Sequence, residues 1–91
     1  MELKDTVNMM LSDDYRQGVI AEYVQLVIRR EKLECFIENA VEGCSNPKLP
    51  SNPYIYRAQR AIIDAYINVL QIRAIDEHIE LPSRREIMGW T

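Results

Sequence analysis

From Asp13 to Glu42 the chain runs thirty residues without a proline and with one glycine, Gly18. Val19, Tyr23, Leu26, Leu33, Ile37 and Ala40 fall on alternating steps of four and three, and Arg30 fills the one slot where an apolar residue is missing. That beat fits a helix and nothing else, and at about 1.5 Å per residue the helix is roughly 45 Å long. So long a helix needs a long partner to bury its apolar stripe, and residues 53–81 supply one.

The second run repeats the pattern. Ala58, Ile62, Ala65, Val69, Ile72 and Ile79 keep the four-three spacing, with Asp76 in one slot, and a second stripe of Ile63, Tyr66, Leu70 and Ala74 lies beside it. Pro82 sets its expected end after Leu81. Between the two runs, residues 44–53 hold three prolines, two asparagines and two serines, so no helix crosses them. Gly43 suits a left-handed stop for the first helix, Ser51 or Asn52 caps the second, and Pro53 fits its first turn. Ahead of this pair, Leu3, Val7, Met10 and Leu11 predict a short helix over residues 2–11, followed by a break and an N-cap at Ser12. Gly18 costs about 1 kcal/mol relative to alanine and suggests a bend or a close approach. Residues 82–91 form a tail whose Ile87, Met88 and Trp90 either fray in solvent or dock on a neighbouring subunit.

The expected fold is all-α: a short N-terminal helix and two long antiparallel helices (about 2–11, 13–42 and 53–81) in one helical-hairpin domain. A two-helix hairpin needs one narrow seam per helix, yet these helices carry wide apolar arcs. Ile20, Val24, Val27 and Ile28 broaden the first, and Ile55, Ile67 and Ile75 the second. The N-terminal helix covers only part of that surface, so other chains are expected to cover the rest and the protein is expected to be a homo-oligomer.

Composition narrows the function. With 11 basic and 14 acidic residues the net charge is −3, which argues against a general DNA binder while leaving room for a local cationic pocket. No apolar run approaches the roughly 18 residues of a membrane span, and the start lacks the features of a signal peptide, so a cytosolic protein is expected. Cys35 and Cys44 read as free thiols, and one histidine gives no zinc set. No cofactor and no catalytic constellation is expected: His78 answers the helix C-terminus, and Asp76 and Glu77 read as solvated charges.

The arginines carry more. Arg29 and Arg30 lie mid-helix, Arg57 and Arg60 open the second helix, and Arg73 stands among Ile72, Ala74 and Ile75. A guanidinium on an apolar helix face needs a fixed partner, either an intersubunit salt bridge to Glu22, Glu31, Glu34 or Asp64, or a bound anion such as phosphate. Tyr15 and Arg16 set an aromatic face beside a cation, able to stack on a base.

The runs SDDYR at 12–16, AEYVQLVIRREKL at 21–33 and QIRAIDEHIEL at 71–81 resemble a family of small phage and prophage proteins of crAss-like and Firmicutes phages. The hairpin is also similar to that of the phage anti-CBASS and anti-Thoeris sponges. Those assemble, commonly as hexamers, and sequester cyclic nucleotides or cyclic ADP-ribose isomers without cleaving them. The resemblance implies pockets between subunits, with Tyr15 as the stacking tyrosine beside Arg16 and the basic residue at Arg29 or Arg30. Arg57 and Arg73 follow by helix pattern. The chain departs from the sponges in lacking a lysine at the basic position and in its SRREIMGWT tail.

The resulting expectation is a non-enzymatic sponge in the cytoplasm of the infected bacterial host, with a cyclic oligonucleotide or cyclic ADP-ribose isomer as its small-molecule partner. The alternatives are a phage structural or protein-binding helical module with no small ligand, and a small all-helical chorismate mutase. The IRAIDEHI run resembles the latter's arginine-isoleucine-aspartate pattern, but at the wrong end of the chain.

Overall fold

The computed structural model describes residues 1–41 and 53–89. The expected connector with Gly43, Cys44 and the caps at Ser51 or Asn52, the side chain of Ala40, and Trp90 all lie outside the described residues. The described chain is helical throughout: a 3-10 turn at Leu3–Thr6, then α1 (Val7–Met10), α2 (Tyr15–Val41), α3 (Pro53–Asp76) and α4 (Arg84–Met88).

The start of α2 is set by Asp14 rather than Ser12. The Asp14 carboxylate accepts from the Arg16 N–H at 3.0 Å, and its carbonyl accepts from Gln17 at 3.0 Å. A carboxylate suits that position because it satisfies a free N–H and faces the positive end of the helix dipole. Ser12 turns the chain instead, accepting from the Asp14 N–H at 3.1 Å. Gly18 meets no atom within 4 Å of where a Cβ would stand, so no close contact within the chain requires it.

α3 stops at Asp76, five residues before the end expected from Pro82. His78 takes a left-handed conformation (φ 57°), and the Ile79 N–H reaches back to the Ala74 carbonyl at 2.8 Å while the His78 N–H reaches Ile75 at 3.3 Å. This pair of bonds closes a helix in the Schellman pattern. The cause is Ile79. In a continued helix it would stay on the face of Ile72, seven residues back, and point away from α2. The turn swings it onto Val19 and Ala74, where it is buried. His78 thus lies just past the end of α3 as its left-handed stop, and not in the last turn where the sequence placed it.

α2 and α3 run antiparallel: Tyr15 meets Arg73, Glu22 meets Tyr66, Arg30 meets Asp64 and Glu34 meets Arg60. Between these polar contacts Tyr23, Val24, Val27, Ile28 and Leu70 form the main core with Ile87. That last residue corrects the expectation for the tail. α4 packs on α2 of its own chain, with Ile87 fully buried. Its start is capped reciprocally: the Glu86 N–H donates to Ser83 Oγ at 3.1 Å and the Ser83 N–H to the Glu86 carboxylate at 3.3 Å. Gly89, at φ 69°, closes it, and the N-terminal ammonium donates to the Ile87 carbonyl at 2.8 Å.

The N-terminal turn and α4 together cover the arc of α2 that was expected to need other chains: Val24, Val27 and Ile28 are all buried within this one. α3 is different. Leu70 and Ala74 face α2, while Ile55, Ala58, Ile62, Ala65, Val69 and Ile72, further round the helix, are exposed. The purer of the two stripes on α3 is the one that faces solvent.

Candidate ligand-binding site

One flank of the hairpin is laid out in seven-residue steps. Near the start of α2, Arg73 donates to the Tyr15 hydroxyl, its guanidinium carbon 5.8 Å from the ring centroid. Two turns along, the Tyr66 hydroxyl donates to the Glu22 carboxylate. Residues 15, 22 and 29 of α2 and 73, 66 and 59 of α3 share this spacing, so the same step sets Arg29 level with Gln59. Gly18, three residues after Tyr15 and four before Glu22, lies on the same flank with open space around it.

Electrostatics differ along this flank. Arg73 also pairs with Glu77 at 3.2 Å, one helical turn on. The Glu77 hydrogen bond, then the Tyr15 oxygen, push the Arg73 guanidinium above its ordinary value and hold it charged. Arg29 is exposed and forms no ion pair among the described residues. Tyr15 is 59% exposed, so most of its ring is open to an incoming flat group.

The opposite flank is a closed network. Arg30 donates to Asp64 at 2.8 Å and to Glu31 at 3.2 Å, and Arg84 of α4 also reaches Glu31. The hydrogen bond to Asp64 is the main cause that raises the Arg30 guanidinium above its ordinary value. Arg60 pairs with Glu34 at 2.8 Å, and that bond holds the Glu34 carboxyl below the usual glutamate value. A groove of about 290 Å³ lies here between Tyr23, Arg30, Asp64, Gln71 and Arg84. Its arginines already have carboxylate partners, so it offers an anion little uncommitted charge.

Of the six residues singled out by sequence, only Tyr15 and Arg73 touch within the described chain. Arg16, next to them, turns back to Asp14 at 3.8 Å. Arg29 lies further along the same flank, and Arg30 is committed to the other. Arg57 stands at the far end of α3 over the Tyr54 ring, at 5.9 Å from its centroid. In the sequence Glu22 reads only as a carboxylate partner for an arginine, Tyr66 only as part of an apolar stripe and Glu77 only as a solvated charge. The repeated sevens linking Tyr15 to Glu22 and Tyr66 to Arg73, and the four-residue step from Arg73 to Glu77, are the signals that mark them. Cys35 is a free, exposed thiol. Among the described residues no group of acidic, histidine or cysteine side chains could hold a metal ion, and no helix is long and apolar enough to cross a membrane.

The model of the Sequestin family matches residues 13–84, a span that holds α2, α3 and the turn after it. No curated protein and no solved structure matches the chain at a significant level.

Proposed function

The chain belongs to the Sequestin family, and on that premise we propose that it is a phage anti-defence sponge. It binds a cyclic nucleotide or cyclic ADP-ribose-type immune signal and sequesters it, without cleaving it, in the cytoplasm of the infected bacterium. The family name itself points to sequestration. The observation that carries the ligand class is the contact of Tyr15 with Arg73, an exposed aromatic face beside a fixed guanidinium inside the matched span.

The roles divide by flank. Tyr15 stacks on a base, while Arg73, Arg16 and Arg29 pair with phosphates, which a planar guanidinium contacts through two parallel hydrogen bonds. Arg30 and Arg60 hold the hairpin through Asp64 and Glu34 and take no part in capture. The sponge acts as a homo-oligomer, with no cofactor, and works by stoichiometry. It succeeds when its Kd lies below the concentration of the signal and release is slow.

Calorimetry against a panel of cyclic di- and trinucleotides and cyclic ADP-ribose isomers tests this reading. Tight binding of one panel member is expected, and Tyr15→Ala removes a stacking contact of about 1–3 kcal/mol, raising Kd roughly ten- to hundredfold. No binding to any member overturns the reading. The bare face of α3 favours a second reading, a phage structural or protein-binding module; there, melting temperature stays unchanged with every nucleotide.

A further inference from the structure

α3 has two apolar faces, and only one is covered. Leu70 is fully buried against α2, whereas further round the helix Ile62 is 70% exposed and Ile55, Val69 and Ile72 are each more than half exposed. With Ala58 and Ala65 between them, these residues recur at alternating steps of three and four from 55 to 72. That is the seam of a helix that packs on another helix, and the small alanines permit close approach. A helix apolar on both sides belongs inside a larger assembly.

We infer that this face of α3 packs antiparallel against α3 of a second copy about a two-fold axis near Ala65. Two observations select that occupant. The stripe is self-complementary: reversing it about Ala65 sets Ile62 opposite Val69 and Ala58 opposite Ile72. Asp76, which continues the seam at its C-terminal end, then falls level with Tyr54 and Ile55 of the second copy, while a parallel pairing sets Asp76 on Asp76.

The pairing bears on the proposed site, and this part rests on the sequestration reading. A two-fold keeps each flank on its own side of the seam, so the rungs of both copies face the same way. The Tyr15–Arg73 pair of one copy then stands level with Arg29 and Gln59 of the other. The flank carries two equivalent sites, each with a stacking ring and Arg73 from one chain and, from the next, Arg29, which forms no ion pair among the described residues.

Sedimentation equilibrium of the full chain at micromolar concentration tests the interface without any ligand. An even multiple of the 10.7 kDa chain is expected. Ile62→Glu with Val69→Glu lowers the mass to that of one chain while far-UV circular dichroism keeps its helical signal. In a background with Cys35→Ser and Cys44→Ser, Ala65→Cys forms an intermolecular disulfide under mild oxidation, an independent readout should the double variant not fold. A wild-type mass of one chain, an odd multiple, or no Ala65→Cys cross-link overturns the inference. An even assembly that binds no nucleotide upholds the interface and overturns the sequestration reading; a nucleotide-binding single chain does the reverse.

Discussion

α2 and α3 are near equals in length and both are rich in aliphatic residues, yet their fates differ. Seven hydrophobic side chains of α2 are buried and only two of α3, among the described residues. The difference does not lie in the helices but in what lies alongside them. α2 is flanked on one side by α3 and on the other by three short pieces, the N-terminal turn, α1 and α4, brought from opposite ends of the chain. Among the described elements α3 packs on α2 alone. The covering pieces lie almost wholly outside residues 13–84, the span matched by the Sequestin family. The matched span therefore holds the hairpin, and most of what covers its one side lies outside that span.

That contrast can be broken by paired substitutions. Leu70→Ala empties a fully buried site and costs about 2–5 kcal/mol, a loss read by urea unfolding and independent of protein concentration. Ile62→Ala, on the bare face of the same helix, alters only the concentration-dependent part of stability. If both behave alike at every concentration, the two faces are equivalent and the comparison fails.

A smaller effect sharpens it from the α2 side. Gly18 sits inside a helix with open space around it, so Gly18→Ala stabilises the fold by up to about 1 kcal/mol, read as a higher urea midpoint.

The smallest effect is a pH dependence on the closed flank. Arg60 holds the folded-state pKa of Glu34 below its ordinary value. Its contribution is therefore present above the usual glutamate range and is lost as pH falls through the lowered value. Arg60→Met removes that part of the acid sensitivity, measured as a flatter melting temperature against pH.

Much of this was legible in the sequence, though unevenly. Thirty residues without proline, beating at four and three, announce α2 before any packing is known. On α3 the spacing identifies two apolar stripes but not their destinations, because periodicity shows that a face is apolar and is silent on what covers it. α4 is too short for periodicity to reveal. Its reciprocal cap, Ser83 with Glu86 three residues later, and the closing Gly89 were the available signals. Both Tyr15 and Arg73 stand out as residue types, but their meeting depends on hairpin register, which the sequence of a connector does not fix. Arg29 and Arg30 are adjacent in sequence and 100° apart around a helix, so only packing could assign one to the open flank and the other to Asp64.

Capture without chemistry is the claim to test most directly. The purified protein is incubated with the cyclic nucleotide it binds and passed through a filter that retains protein. The retained fraction is then heated, and the released small molecule is identified by chromatography. The account predicts a filtrate depleted of the signal and its recovery, unaltered and in stoichiometric amount, on heating. A filtrate that keeps its signal, or recovery of a cleaved product, contradicts it.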